Sequence, residues 1–463
     1  MPSTPIPGQP SPDGPAPEEA APEGAEPHRR GASRRRFGVP GLFGVPAERA
    51  RTADFLAVGA IAVIVVLVAV IALVTGSART AEHHEAAETQ PDYAPSNTMP
   101  TSLREEWDAP NDTVGTPLVS SSNVITTSEN ALTAWEAGIK SEEWSYSRDT
   151  PLCDATYFDS RIVTVFQGPA GCSDATAFRA SDGKYDGIRQ SAFSEDMTAW
   201  TSWSHMLVLG PDRLELWRDD LVRTVEYGHV PAPQETGQQP RSGCSFQSAN
   251  LNSENFAVAE RCPGEDTVRI TVSKAVPEDS RVPEEVSSTL TDLDQFHYIG
   301  LTESNDSVGL ALRGSEWMFV RVDSGGSATS LGTLDHEPAL KPSPENVSRD
   351  PAQFRWFDGE TTHAFDARIG DMQWSMQGAT GPGHGFGFTP AEQDERFTPT
   401  QAIVPSRDAL NFVDIDTGEV DSSFELDLRS QRDEPVGLAQ IGNILYVQKD
   451  GLLTAYQLTD STS

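Results

Sequence analysis

One phrase recurs along this chain and constrains its architecture more than any other feature. The fullest copy is His363-Ala-Phe-Asp-Ala-Arg-Ile-Gly-Asp-Met-Gln-Trp374, a small-aromatic strand, an acidic glycine turn and a second strand ending in an aromatic residue. Degraded copies are Ala177-Phe-Arg-Ala-Ser-Asp-Gly-Lys184, Phe319-Val-Arg-Val-Asp-Ser-Gly325, Asn411-Phe-Val-Asp-Ile-Asp-Thr-Gly-Glu419 and the looser Leu132-Thr-Ala-Trp-Glu-Ala-Gly-Ile139. The turn glycines fall at Gly138, Gly183, Gly325, Gly370 and Gly418, at intervals of 45, 142, 45 and 48. The long interval has room for three units, with strands expected at Arg213–Trp217 and Val268–Val272. A unit of about 45 residues cannot bury both faces of its own sheet, so neighbouring units must stack.

Short apolar runs such as Ile162–Phe166, His205–Leu209, Val308–Leu312 and Ile444–Val447 are β-branched and aromatic, and Asp-Gly, Gly-Gly and Pro punctuate the connections. The reading is an all-β, seven- or eight-bladed β-propeller over residues 103–463, with eight blades favoured. A pair of β-sandwiches is the structural alternative. The final phrase, Leu452-Leu-Thr-Ala-Tyr-Gln-Leu458, has no strand after it, so a strand from within Thr101–Ser121 is expected to complete the last blade.

Residues ahead of the repeats speak to location. Phe55–Thr75 carries no charge over 21 residues and as a helix would be about 31 Å long, the depth of a bilayer core. Residues 54–76 are therefore read as one transmembrane helix. A cleaved signal peptide would have a shorter apolar run and a shorter leader. Arg29, Arg30, Arg34, Arg35, Arg36, Arg49 and Arg51 precede the helix and Arg79 follows it, which predicts a cytoplasmic N-terminus and an extracytoplasmic C-terminal domain at the plasma membrane. Residues 1–53, rich in Pro, Gly, Ala and Glu, are expected to be a disordered tail. Residues 77–102 read as an extracytoplasmic linker.

Of 34 basic and 69 acidic residues, 27 and 62 follow position 54, so essentially the whole net charge of -35 lies beyond the tail. A surface this acidic repels polyanions at short range and excludes a nucleic-acid partner. The cysteines, Cys153, Cys172, Cys244 and Cys262, are spaced for disulfides in an oxidising compartment, and zinc would require closer Cys pairs with nearby His. Three connectivities are open. Sequential pairing, Cys153 to Cys172 and Cys244 to Cys262, is expected because it closes two similar hairpins.

The phrases ending at Trp374 and Glu419 resemble the tryptophan-docking repeat of PQQ-like, quinoprotein-type β-propellers. The resemblance implies that an aromatic residue of one blade packs against the next, with Trp374 the best match and Trp144 and Phe424 looser ones. Glu143-Trp-Ser-Tyr-Ser-Arg-Asp-Thr-Pro-Leu-Cys153, followed by Gly171-Cys172-Ser, further resembles membrane-anchored PQQ-like proteins of actinobacteria whose function is not established. Enzymes of that superfamily hold their quinone with adjacent cysteines, and no Cys-Cys occurs here, so no cofactor and no quinone-dependent dehydrogenase activity are expected.

Other motifs read as structure. Asp414–Asp421 has its glycine fifth and no Glu twelfth, unlike an EF-hand loop, and is expected to be a hairpin turn. Gly378–Phe388 lacks the Lys-Ser/Thr of a phosphate loop and is expected to be a long mobile loop near a channel mouth. Ser181-Asp-Gly-Lys184 matches Ser-x-x-Lys only formally, because Asp-Gly marks a turn. Glu82-His-His-Glu85 is read as spacer, and Trp200, Trp203, Trp217, Trp317 and Trp356 as blade packing. No catalytic, cofactor-binding or metal residue is assigned. The leading expectation is a non-catalytic protein-binding or scaffold module of the cell envelope with a protein partner. The alternative is a ligand sensor or enzyme with a site in the central channel, with calcium as a candidate ligand.

Overall fold

The computed structural model describes residues 52–75, 80–89, 91–93, 98–193, 197–387, 389–391 and 394–459. The tail expected at residues 1–53 lies outside the described residues except for its last two positions. The chain divides into an N-terminal unit and the unit from Ile71 onward. The α-helix Thr52–Thr75, most of which belongs to the first unit, is long and apolar enough over residues 52–71 to cross a membrane.

The second unit is an eight-bladed β-propeller of antiparallel sheets. In chain order the blades span residues 118–147, 152–190, 198–228, 245–290, 295–334, 347–377, 384–425 and 437–459, here blades 1 to 8. Within a blade the strands run in sequence order from the channel outward, with a small extra hairpin inserted after the first strand of blade 7. Arg213–Arg218 and Arg269–Lys274 fill the third-strand positions of blades 3 and 4, where the long interval required them. Blade 8 is closed by Ser102–Pro110, which pairs antiparallel with Leu452–Thr459. Its register places both ends of the ring in one sheet, so opening the ring would expose two sheet edges at once.

A further strand comes from the stretch read as linker. Glu82–His84 pairs with Glu142–Ser147 on the outer edge of blade 1, making that blade five-stranded. His83 donates from Nε2 to the Gly183 carbonyl at 2.7 Å and meets Tyr146, Phe178 and Tyr185 edge-on. The spacer thus includes a docked edge strand.

Tryptophan side chains bridge several of the blade seams. Trp144, on the outer strand of blade 1, donates its indole N–H to Ala180 of blade 2 at 2.8 Å, and its ring covers Gly183, where a Cβ would lie 2.6 Å away. Trp374 of blade 6 repeats this on blade 7, bonding Ile415 at 2.9 Å and covering Gly418 at 2.7 Å. In both cases the accepting carbonyl lies three residues before the glycine, and that glycine has a left-handed φ of about 70°. Trp144 opposes Ala134 and Trp374 opposes Ala364, each beside a one-residue bulge. Trp107 opposes Ala455 beside the same bulge in the closing strand and packs against Trp135 of blade 1, a third docking tryptophan from blade 8. Phe424 lies two residues beyond the docking position, which in blade 7 is Ser422. It packs edge-on against Phe412 of its own blade and is not the counterpart of Trp374.

Candidate functional site

The first strands of the blades border the central channel, and two groups of charged residues from different blades meet there. At the strand-start mouth, Glu345 just before blade 6 acts on Asp154 of blade 2, and Glu434 just before blade 8 acts on Glu345. Burial, reinforced by the Glu345 charge, pushes the Asp154 carboxyl up to about 6. Burial and then Glu434 likewise raise Glu345. Backbone narrows this mouth, because a Cβ on Gly115 would lie 2.1 Å from the Glu345 carbonyl and one on Gly437 would lie 1.6 Å from the Gly115 carbonyl. Gly115 precedes blade 1, so its contact with Glu345 skips blades 7 and 8 and crosses the channel. A buried carboxyl raised to about 6 beside a second carboxylate has the chemistry to exchange a proton or take a cation.

At the opposite, strand-end mouth, Arg349 reaches from blade 6 to blades 3 and 4. It donates to the Asn250 side-chain oxygen at 2.8 Å and to the Thr201 carbonyl at 2.6 Å. Its guanidinium lies 5.0 Å from the centre of the Trp200 ring. Burial alone brings its pKa down to about 10. The neighbouring Asp350 is engaged by Arg355 at 2.6 Å instead. His384, at the start of the inner strand of blade 7, is pushed down to about 4 by burial and by Arg355, against Asp350. His297 of blade 5 is pushed down to about 4 by burial and then Lys341. Both are neutral at pH 7.

The cysteines come together as Cys153–Cys172 and Cys244–Cys262, at disulfide distance. Cys244 and Cys262 close the open end of a hairpin in blade 4, whereas Cys153 and Cys172 join the first and third strands of blade 2 across the second. Among the described residues, one group of three His, Cys, Asp or Glu ligand atoms lies within 4.8 Å of one another, namely Cys244, Glu260 and Cys262. Its sulfurs are consumed by the disulfide, so it offers no thiolates to a metal.

Asp414 accepts from the Thr417 hydroxyl and the backbone of Asp416 and Thr417, as a hairpin turn does. Asp182, between Ser181 and Lys184, is buried in a turn and pairs with Arg179 and Lys184. Trp217 and Trp356 are fully buried and Trp200 and Trp317 nearly so, while Trp203 stands exposed. The glycine-rich segment after Gly378 is packed rather than mobile up to Gly387. Thr380 and Val436 share a backbone bond, Thr362 donates to the Gly381 carbonyl at 2.7 Å, and His384–Phe386 is the inner strand of blade 7. Its last residue, Phe388, lies outside the described residues. Its glycines admit neighbouring backbone, since a Cβ on Gly381 would meet the Val436 carbonyl at 1.9 Å.

One constellation had no sequence signal. His363, the first residue of the recurring phrase, is buried with Nδ1 2.8 Å from the Ser375 hydroxyl and Nε2 3.1 Å from Asp358. Asp358 also caps the turn through the N–H groups of Glu360 and Thr361, so the three side chains close a hairpin. Asp358 and Ser375 lie 17 positions apart on either side of His363, a spacing that says nothing until the hairpin register is known. Arg349 and Asn250, 99 positions apart, were equally silent.

The fold and the two-ended channel define a class, the eight-bladed β-propeller. No family profile and no curated protein sequence matches the chain. Among solved structures it is similar to Saccharomyces cerevisiae Sqt1, with 9% identity over 78% of this chain and 100% of that one and a TM-score of 0.50. It also matches dihydro-heme d1 dehydrogenase NirN, with 13% identity over 78% of this chain and 73% of that one at a TM-score of 0.45. AztD from Citrobacter koseri gives 11% identity over 71% and 88% at 0.43. At such identities the likeness concerns the fold alone.

Proposed function

We propose that this chain is a single-pass, plasma-membrane-anchored β-propeller of the cell envelope, with its N-terminus cytoplasmic, acting as a non-catalytic binding module for an extracytoplasmic protein. Within this reading its blades are of the PQQ-like type without the quinone. The arginines ahead of Thr52–Thr75 support the orientation. The observation that carries the binding role is the outer edge of blade 4. There Val286 and Leu290 of the edge strand Glu285–Leu290 are exposed, together with Val276 and Val282 of the preceding connection. An open sheet edge bordered by exposed aliphatic side chains is a template for a partner's extended segment. Blade 1 presents a different edge, already covered by Glu82–His84.

The test is photo-crosslinking from position 286 in intact cells, followed by identification of the attached chain. The expected result is one specific adduct, lost in Leu290→Asp. If no specific chain is recovered and the purified protein instead binds a small ligand saturably, the scaffold reading fails and the channel becomes the functional site.

A further inference from the structure

Blades 6 and 7 carry the same hairpin with different chemistry. In blade 6 the Ser375 hydroxyl lies 2.8 Å from Nδ1 of His363, whose Nε2 lies 3.1 Å from Asp358. In blade 7 the Ser423 hydroxyl donates to the Asn411 side-chain oxygen at 3.0 Å, and the Asn411 amide donates to the Ser406 hydroxyl at 3.0 Å. The positions correspond one for one. His363 and Asn411 each lie opposite the outer-strand serine in the ladder, 12 residues before it and 5 residues after the third partner. Both serines are exposed. An amide and a hydroxyl therefore suffice to close this hairpin, so closure does not account for an imidazole and a carboxylate in blade 6.

We propose that Ser375 is an activated nucleophile on the outer strand of blade 6, a modification site that takes the acyl group of a small ester. Asp358 is fixed by the N–H groups of Glu360 and Thr361. A carboxylate only accepts, so Nε2 of neutral His363 carries the proton and Nδ1 offers its lone pair to the Ser375 O–H. The imidazole is buried and packs against Trp356 at 5.5 Å and Phe319 at 4.7 Å, which holds that orientation. The bond from the Gly378 N–H to the Glu360 carbonyl sets the alternation of the ladder, so His363 and Ser375 face each other as a non-hydrogen-bonded pair. The Ser375 N–H accordingly points off the outer edge of the blade, on the side from which an ester arrives, and can donate to the oxyanion formed there. In the reaction Ser375 Oγ bonds the carbonyl carbon while its proton passes to His363 Nδ1. The carbon–oxygen bond to the alcohol then breaks, the departing oxygen takes that proton, and an acyl-serine remains. The site is independent of the edge of blade 4, so it stands or falls apart from the protein-binding reading.

The probes are p-nitrophenyl acetate, quenched in acid, and an alkyl fluorophosphonate, whose serine adduct does not turn over. Each is applied to the full-length protein in detergent micelles, and adducts are mapped by peptide mass spectrometry. Ser375 should be modified about 100-fold faster than Ser423, the range a positioned general base supplies. This ratio is read within one folded molecule and needs no variant. His363→Asn installs the amide of blade 7 at the same position, and it should slow Ser375 to the rate of Ser423 while the protein stays folded by thermal unfolding. Asp358→Asn, which removes the carboxylate that orients the ring, should slow Ser375 at least tenfold. Equal modification of Ser375 and Ser423 would overturn the proposal, and so would the lack of an adduct on Ser375 with both reagents. An unchanged Ser375 rate in His363→Asn would do the same, because a hydroxyl that reacts without the imidazole is merely exposed.

Discussion

Two arcs of the ring are held together by different chemistry. From blade 8 through blade 1 to blade 2, and again from blade 6 to blade 7, an outer-strand tryptophan lies over the glycine turn or aromatic strand of the next blade. From blade 2 to blade 4 the seams are ionic. Glu215, 1% exposed, collects Arg189 of blade 2 and Arg213 and Arg223 of its own blade, together with the Trp217 indole N–H. At the next seam Glu260 accepts from Tyr227 of blade 3 at 3.0 Å and pairs with Arg241 at 3.2 Å. Both disulfides also lie on this arc, in blades 2 and 4. An apolar seam needs shape and loses water, whereas an ionic seam needs every charge matched and is exposed to acid and salt.

The largest separation between the arcs is expected from Trp374→Ala. It removes a buried ring and the bond to Ile415, at a cost of about 4 kcal/mol, read as a drop in urea midpoint that is insensitive to salt. A comparable midpoint in the variant would show that the ring is not what holds blades 6 and 7 together.

Glu215→Gln should cost about 3 kcal/mol, because it leaves Arg189, Arg213 and Arg223 with one partner fewer in a buried place. Burial pushes the Glu215 carboxyl up, but Arg189 and Arg213 outweigh it and the net shift is downward. A depressed carboxyl stabilises the fold above its unfolded value of 4.5, and that stability is lost as pH falls through the folded value. Denaturation followed from pH 7 downward should therefore show the wild type approaching the variant in acid, while the Trp374→Ala difference stays constant. A pH-independent Glu215→Gln difference would contradict the ionic account of this seam.

The same contrast marks what was legible in the sequence. The phrases recognised beforehand include those whose turn glycine sits under a tryptophan, since Gly183 and Gly418 are needed by Trp144 and Trp374 and cannot drift. The unreadable interval, Gly183 to Gly325, covers the ionic seams, where a Glu and several Arg on separate strands carry no periodic mark. Trp107 was missed because its opposing Ala455 lies at the other end of the chain, and the pair becomes visible only when the closing strand is aligned by its bulge. The channel residues were invisible for a related reason. Asp154, Glu345 and Glu434, or Arg349 and Asn250, meet only because the ring closes.

Charge on the ionic arc is not everywhere stabilising, and Asp154, on the inner strand of blade 2, tests the exception. Its carboxyl rises from 3.8 to about 6, mainly by burial. A raised carboxyl favours the folded state when protonated, so stability is lost as pH climbs from about 4 to about 6. At 1.36 kcal/mol per unit, reduced because solvent reaches part of the group, Asp154→Asn should gain about 2 kcal/mol at pH 7. The gain should vanish below about pH 4, and a gain that persists there would place its origin outside this titration.

The smallest and most diagnostic effect concerns the seam between blades 2 and 3, where the tryptophan arrangement is inverted. The docking position of blade 2, opposite Ala177 beside the bulge, is Gly187. The turn of blade 3, which should offer a glycine, instead offers Leu221 with φ of 60°. Leu221 packs 3.5 Å from the place a Gly187 side chain would begin, and Arg189 rather than an indole bonds its carbonyl at 3.2 Å. Large and small have changed sides, with the leucine in a conformation that costs about 1 kcal/mol or more in a non-glycine residue. Leu221→Gly would relieve that strain but remove a buried side chain set against a hole of its own size, a loss of about 2–3 kcal/mol. The net expectation is a loss of about 1 kcal/mol in urea denaturation. A stabilised variant would mean that the leucine is strain without compensation, and that the ionic contacts of Glu215 alone hold this seam.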